Sequence, residues 1–244
     1  MTKEITTQGI IIKETKVGEG NKIFTILTSD YGKIQASGAG VRSYKSKLSA
    51  GCTLFCYSDF ILKSGKNKDI YSIVSADKKM DFFELRYDIQ KLSLVNYFCE
   101  LTNYMTMPQT DCSDILRLLL NTIYFIQKND CEPKVKPVFE LRFMCEAGFA
   151  PSLCVCHKCG SQENLHFFSV DFNSMECAVC RKTSNVLPDT RTAMEYICSA
   201  PLKTIFNFSA NDEVIRQLSA IAEQYVLHHL GKVPKALTYL KSIK

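Results

Sequence analysis

Four cysteines near the middle of the chain constrain its fold more than any other feature of the sequence. Cys156 and Cys159 are separated by two residues, as are Cys177 and Cys180, and 17 residues lie between the two pairs. Each pair can place two sulfur atoms on one side of a tight turn, and two such turns complete a tetrahedron. The spacing therefore predicts one structural zinc ion per chain, with four thiolate ligands and no open coordination position.

Other uses of these cysteines have to be weighed. The N-terminus has no long apolar segment with a small-residue cleavage site, so we expect a reducing, cytoplasmic compartment where structural disulfides are rare. A redox CxxC motif normally opens a helix in a thioredoxin-like βαβ unit, a pattern that is not found here. The chain contains 12 cysteines, so ordinary free thiols remain an alternative.

Three further residues in this segment are possible ligands. Cys154 could replace Cys156, although a CxxxxC pair makes a poorer turn, and we expect Cys154 to pack as a small apolar residue. His157 and His166 also lie nearby, but four thiolates would already fill the coordination shell.

The first 80 residues have the pattern of a small β-barrel. Short β-branched or alternating stretches are separated by turns that contain glycine, and no helical period is present. The predicted strands are 7–17, 22–29, 33–40, 52–64 and 70–77. Five strands in about 75 residues fit an OB-fold better than a sandwich, which usually needs about seven.

From Asp81 onward, apolar residues recur at helical spacing. Helices are predicted from Asp81 toward Met105, over Ser113–Lys128, from near Pro133 to Gly148, over Asp189–Ala200, over 211–231 and after Pro234. We expect the second helix to be apolar nearly all round and therefore buried. In the fifth, Asn211 is the expected N-cap and Gly231 the expected C-cap.

The sequence thus predicts an α+β protein of several domains. These are an N-terminal OB-fold β-barrel over 1–79, a C-terminal all-helical domain over 80–149 and 186–244, and an inserted four-cysteine zinc segment over 150–185.

The excess of positive over negative charge lies in the first third of the chain. Residues 1–80 contain 13 Lys/Arg and 7 Asp/Glu, whereas residues 81–244 contain 17 and 18. Such a field predicts a polyanionic partner, but a solvated face explains it equally well. The sequence has no apolar run of about 18 residues, so we expect no membrane partner. It also has no phosphate loop, HExxH or GxSxG motif, so we expect no enzymatic activity.

Several stretches, taken in order, resemble the bacterial DNA repair protein RecO family over nearly the whole chain. They are GIIIKETKVGEGNKIFTILTSDYGKI at 9–34, GVRSYKS at 40–46, LRFMCEAGFAPSLCVCHKCG at 141–160, FFSVDFNSMECAVC at 167–180 and HHLGKVPKALTYL at 228–240. The resemblance implies a recombination mediator that binds single- and double-stranded DNA and anneals complementary strands. It further implies that the protein works with RecR, docks the C-terminal tail of the single-stranded DNA-binding protein and indirectly helps to load RecA. A cytoplasmic, nucleoid-associated location would follow.

The resemblance and the charge distribution together nominate residues for DNA binding in the barrel. The main candidates are Lys13, Lys16, Lys22, Lys33, Arg42, Tyr44, Lys45 and Lys47, with Tyr31, Lys63, Lys66 and Lys68 as further ones. Phe24 could stack on a base, but its place in an alternating strand favours the core. The family often has two adjacent basic residues where Ser43 follows Arg42 here, so we expect one phosphate contact fewer at this motif unless Lys45 or Lys47 substitutes for it.

The docking of the acidic tail needs basic residues beside an apolar floor. The helical part offers Arg191, Lys203, Arg216, Lys232 and Lys235 for this role. Two alternatives remain: a zinc-stabilised adaptor in the same pathway with little DNA affinity, and a zinc-dependent enzyme acting on nucleic acid. The enzyme would need an open metal position and a carboxylate, and the HxE and PCxxC motifs of deaminases are missing from the sequence.

Overall fold

The computed structural model describes residues 4–64, 70–130 and 132–243. The chain divides into two compact units, one made of Met1–Lys128 and Pro234–Lys244 and the other of Asn129–Val233. Lys66 and Lys68, two of the predicted DNA-binding residues, lie outside the described residues.

The first unit contains a closed five-stranded barrel. Its strands are β1 (Glu4–Val17), β2 (Asn21–Thr28), β3 (Lys33–Gly38), β4 (Tyr57–Ser64) and β5 (Ile70–Met80), in the order β1-β2-β3-β5-β4. Neighbouring strands are antiparallel except for β3 and β5, which are parallel. Alternate side chains such as Phe24, Ile26 and Phe60 point inward and form the core. The predicted OB-fold-like barrel is confirmed.

The fourth strand begins later than its sequence predicts. Residues 52–56 form turns, and β4 starts at Tyr57. Cys52, Phe55 and Cys56 are buried, yet Phe55 has a left-handed backbone (φ 68°) that no pleated strand can accommodate. Their apolar character reflects packing in a loop, so the strand predicted over these residues is wrong.

Three helices belong to the first unit: α1 (Ile89–Met105), α2 (Ser113–Lys128) and α6 (Lys235–Ser242). The helix predicted from Asp81 is interrupted, because a short 3₁₀ turn over Phe83–Tyr87 ends at Asp88, whose carboxylate then caps α1. The expectation that α2 is buried on nearly all sides is wrong. Its buried residues lie on one face, whereas Arg117 and Tyr124 are exposed.

The second unit combines three helices with a small sheet. Its elements are α3 (Val135–Glu146), β6 (Ser152–Cys156), β7 (Leu165–Ser169), β8 (Ser174–Cys177), α4 (Pro188–Ser199) and α5 (Asp212–Leu230). The sheet has the order β6-β8-β7 and was not predicted. Asn211 caps α5 by accepting from the N–H of Val214, and Gly231 ends the helix in a left-handed conformation, as predicted.

The compact unit that contains the barrel also contains α1, α2 and α6. The sequence instead suggested a single helical domain over 80–149 and 186–244. Those boundaries remain a prediction about which parts fold independently. None of the helices in the described part of the chain has the length and apolar character that crossing a membrane requires.

Candidate metal centre and nucleic-acid surface

The four predicted metal ligands come together at one edge of the small sheet. Cys156 and Cys177 are the last residues of β6 and β8, which are parallel neighbours, so both strands deliver their CxxC turns to the same edge. The Sγ atoms of Cys156, Cys159, Cys177 and Cys180 all lie within 4.8 Å of one another. Bonds of about 2.3 Å to a tetrahedral metal would place the sulfurs about 3.8 Å apart. The arrangement can therefore hold one metal ion.

Each CxxC motif closes as a backbone turn. The N–H of Gly160 donates to the carbonyl of Cys156 at 2.8 Å, and the N–H groups of Cys180 and Arg181 donate to the carbonyl of Cys177 at 3.1 and 2.9 Å. Gly160 has a φ of +74°, which glycine adopts without steric cost. Both turns are thus formed by the backbone itself.

The thiols cannot all ionise without a cation between them. The backbone N–H of Cys180 lowers the pKa of the Cys177 thiol. Burial opposes ionisation of Cys156, but N–H groups of neighbouring residues lower its pKa to about 6. Conversely, contact with Cys159 and burial raise the pKa of Cys180 to about 12. A bound cation would supply the missing stabilisation of the remaining thiolates, so the donor set fits a metal that prefers sulfur.

The other possible ligands lie elsewhere. Cys154 is exposed and outside the cluster, so the expectation that it packs as an apolar residue is wrong. His157 stacks on Phe172 with ring centres 4.2 Å apart, and Nε2 of His166 lies 2.9 Å from the carbonyl of Arg181.

A buried carboxylate behind the cluster was missed by sequence reasoning. Glu176 is almost completely buried on β8, where it accepts from Nζ of Lys158 at 2.8 Å and lies 3.3 Å from Nε2 of His157. The ammonium group of Lys158 lowers the pKa of this carboxyl. Since Lys158 and His157 lie between the first two cysteines, the contact holds that turn against β8. No motif indicated the pairing, because it depends on the sheet.

Three of the predicted DNA-binding cations have partners within the first unit. Nζ of Lys22 forms an ion pair with Glu14 at 2.9 Å. Nζ of Lys33 donates to the carbonyl of Asn103 at 2.5 Å, and burial lowers its pKa. Nη1 of Arg42 donates to the carbonyl of Glu19 at 2.6 Å. These side chains support the barrel and its turns, so their charge is only partly available to a ligand.

The remaining candidates are exposed. They are Lys13, Lys16, Tyr44, Lys45 and Lys47, and none of these lysines forms an ion pair with an acidic side chain among the described residues. The loop over 40–47 is fastened to the β1–β2 turn, because the N–H of Arg42 donates to Gly20 at 3.1 Å and that of Gly40 to Oδ1 of Asn21 at 2.8 Å. These hydrogen bonds hold the start of the loop that carries Tyr44 and Lys45 against the β1–β2 turn.

The aromatic side chains of the barrel that could stack on a base differ in solvent exposure. Tyr44 is 88% exposed, with Nζ of Lys45 at 5.8 Å from its ring centre. Phe24 is fully buried in the core, which confirms the packing interpretation, and Tyr31 is half-buried. Lys63 is exposed on β4. An exposed ring with a lysine beside it is suited to the bases and backbone of a single nucleic-acid strand.

Both parts of the chain match known families. Residues 1–79 match the family described as "Recombination protein O N terminal", and residues 86–238 match that described as "Recombination protein O C terminal". The chain belongs to the recombination protein O (RecO) family.

Curated relatives agree over the full length. The protein called "DNA repair protein RecO" from Acetivibrio thermocellus is 32% identical, over 98% of this chain and 97% of its own. Those of the same name from Caldicellulosiruptor bescii and Dehalococcoides mccartyi strain 195 are 31% and 30% identical. These matches cover 99% and 100% of this chain and 100% and 98% of the relatives.

The residues nominated for tail docking are divided between the two units of this RecO family member. Arg191, Lys203, Arg216 and Lys232 belong to the second unit, whereas Lys235 belongs to the first. Nε of Arg191 lies 3.4 Å from Oε1 of Glu195, and Lys203 and Arg216 are exposed.

The main cleft described in the second unit lies between α4 and the segment before α5. It has a volume of about 400 Å³ and an apolar lining that includes Tyr196, Phe208 and Val214. Its lining contains one charged side chain among the described residues, Asp189, and none of the predicted basic residues. The cleft has the apolar floor that tail docking needs but the wrong charge, so the docking position stays a prediction.

Proposed function

We propose that this RecO family protein is a mediator of DNA repair and homologous recombination. It binds single- and double-stranded DNA, anneals complementary strands and, with RecR, helps to load RecA onto DNA coated by the single-stranded DNA-binding protein. The observation that supports this function is the exposed ring of Tyr44 with Lys45 beside it, on a barrel where Lys13, Lys16 and Lys47 are also exposed, in a chain of a DNA repair family.

Annealing requires the neutralisation of charge and no bond chemistry. Two DNA strands repel each other through their phosphates, and lysines that bind both strands lower this repulsion until base pairing takes over. Lys16, Lys45 and Lys47 are placed to bind phosphates without first breaking an ion pair to a described residue. Tyr44 offers an exposed ring on which a base can stack. We therefore propose a protein that acts by binding and is not an enzyme.

The metal of this proposal is zinc, held by Cys156, Cys159, Cys177 and Cys180. Four thiolates in a tetrahedron are typical of structural zinc, and a full thiolate shell leaves no position for a catalytic water. Zinc bound there links the ends of β6 and β8 and contributes to the folding of the second unit.

Two protein partners complete the proposal. RecR is the partner in RecA loading, and the acidic C-terminal tail of the single-stranded DNA-binding protein docks on basic residues of the helical part. The candidates for this contact are Arg191, Lys203, Arg216, Lys232 and Lys235, and the acidic tail would be attracted by their charge. The proposed location is cytoplasmic and nucleoid-associated.

A salt titration of DNA binding tests the function. The protein is mixed with fluorescent single strands of unrelated sequence, and the affinity is measured between about 50 and 200 mM salt. We expect similar affinities for all sequences, a steep fall with salt, and faster annealing of complementary strands without ATP. Failure to bind DNA at the lowest salt would instead favour the adaptor with little DNA affinity. That alternative is supported by the internal partners of two candidate cations, because Lys22 pairs with Glu14 and Arg42 donates to the carbonyl of Glu19.

A further inference from the structure

A second possible contact with nucleic acid lies at the start of β3, away from Tyr44. The barrel unit has a cleft there with a volume of about 370 Å³, which falls in the range of small-ligand pockets. Its walls include Tyr31, Lys33, Gln35, Tyr71 and Gln109.

The cleft results from the topology of the barrel. Among the described residues, β3 and β5 pair in parallel from Gln35 opposite Ile70 to Ser37 opposite Ser72, and the first residues of β3 precede this pairing. The segment after α1 packs against the opposite side. There the N–H of Gln109 donates to the carbonyl of Tyr31 at 3.0 Å, and Pro108 bridges to Gly32. A concave site remains between this segment and the β3–β5 seam.

The side chains of the cleft combine fixed rings with free polar groups. Tyr31 and Tyr71 are half-buried and pack against the barrel core, so their rings are held in place. The side-chain amides of Gln35 and Gln109 form no hydrogen bond with a described residue. Gln109 has a φ of +61°, a conformation that costs a side-chain-bearing residue free energy.

The charge of the cleft favours an anionic ligand. Lys33 contributes to the wall an ammonium group that also donates to the carbonyl of Asn103 and is therefore only partly available to a ligand. Lys13 adds a second positive charge, which lies close enough that, after burial, it also lowers the pKa of Lys33. The other cavity described in the barrel unit differs, because its lining includes Asp30, Asp59 and Asp77 and would repel phosphates. Rings, amides and a cation together match a nucleotide in chemical character.

We propose that this cleft binds one unpaired nucleobase of a DNA strand. The base stacks on the ring of Tyr31 or Tyr71, its polar edge meets the amides of Gln35 and Gln109, and its phosphate lies near Lys33. The proposal rests on the DNA binding proposed above and adds a strand preference. A base in a duplex is already paired and stacked and would have to flip out, so the cleft favours single strands.

Oligonucleotides without bases separate this contact from phosphate binding. The affinity of the full-length protein is measured for a single strand and for one of equal length in which all nucleotides are abasic, so the phosphates are unchanged. We expect the parent to bind the strand with bases about tenfold more tightly. Tyr71→Leu and Gln109→Gly should each reduce this ratio several-fold and leave the affinity for duplex DNA unchanged.

Control variants keep the test decisive. Lys45→Gln should weaken binding to both strands alike and preserve the ratio, because it removes a phosphate contact. Tyr71→Leu could disturb the core, but glycine adopts the backbone of Gln109 without strain, so Gln109→Gly should fold and is checked by thermal unfolding.

Three results overturn the inference. A parent ratio near one, or a parent-like ratio in both cleft variants, shows that no base enters the cleft while DNA binding itself stands. A parent that binds neither strand refutes the proposed function and this inference together.

Discussion

The Sγ atoms of Cys159 and Cys177 lie 3.6 Å apart, although 18 positions separate the two residues in the sequence. The parallel pairing of β6 with β8 explains this approach, because both strands end at the same edge of the sheet. A separation close to the edge of a zinc–thiolate tetrahedron supports the view that the turns are arranged for a metal.

Purified, reduced protein should contain about one zinc per chain by elemental analysis. Cys177→Ser should lose this metal and lower the free energy of unfolding by about 4 kcal/mol or more, since structural zinc contributes directly to folding. Cys154→Ser is the matched control. Because Cys154 is exposed and outside the cluster, this variant should retain the zinc and the stability of the parent. Loss of metal from it would show that the ligand assignment is wrong.

Lys45→Glu combined with Lys47→Glu should weaken binding to unrelated single strands alike, by about tenfold at 100 mM salt. The slope of log K against log salt should become shallower by about 0.7 for each phosphate that the variant no longer neutralises. These lysines give a cleaner test than Arg42, whose replacement would also free the carbonyl of Glu19. Lys203→Glu, an exposed change in the second unit, serves as the control. Unchanged affinity and slope in the double variant would place the DNA site elsewhere.

Charge reversal should locate the docking position of the acidic tail. Arg191, Lys203, Arg216, Lys232 and Lys235 are each replaced by Glu, and binding of a fluorescent tail peptide is measured by anisotropy. We expect at least one variant to bind the peptide about tenfold more weakly and naked DNA as the parent does. Parental peptide binding in all five variants would contradict docking on these residues.

His229 should make stability depend on pH. Burial, followed by the charge of His228, lowers the pKa of His229 below its usual 6.5. The unfolded chain therefore takes up the proton more readily, so the free energy of unfolding should decrease as the pH falls from about 7 to 5. In His229→Gln this decrease should be smaller. Urea unfolding of both proteins at each pH gives the two free energies of unfolding, and their difference is the contribution of His229. Any effect of metal loss that both proteins share cancels in this difference. Equal slopes would show that His229 does not contribute.

The strands of the barrel and the helices could largely be predicted because their patterns are local. Phe24 and Ile26 lie on either side of the polar Thr25, and Asn211 and Gly231 are typical helix caps whose effect extends over a single turn. The strand predicted over 52–56 was wrong, because a loop whose apolar residues are buried has the same composition as a buried strand.

The candidate site also combines features that are local in the sequence with features that depend on the tertiary fold. The metal ligands could be named from the sequence because each CxxC motif is a local turn whose spacing matches tetrahedral coordination. In contrast, the pairing of Glu176 with Lys158, the use of Arg42 as a support for the β1–β2 turn and the cleft around Gln109 depend on segments far apart in the chain. Which cations remain exposed is a consequence of which carbonyls and carboxylates the fold brings next to them.

By itself, the sequence determined the presence of a barrel, the helix boundaries at strong caps and the four cysteines of the candidate metal centre. Periodicity, capping and ligand spacing all act within a few residues, so a linear pattern can specify them. Only the tertiary structure decided that Arg42 and Lys45, two basic residues of one loop, differ in what they contact. Nη1 of Arg42 donates to the carbonyl of Glu19, whereas Nζ of Lys45 lies 5.8 Å from the ring centre of the exposed Tyr44, because the loop is attached to the β1–β2 turn at Arg42.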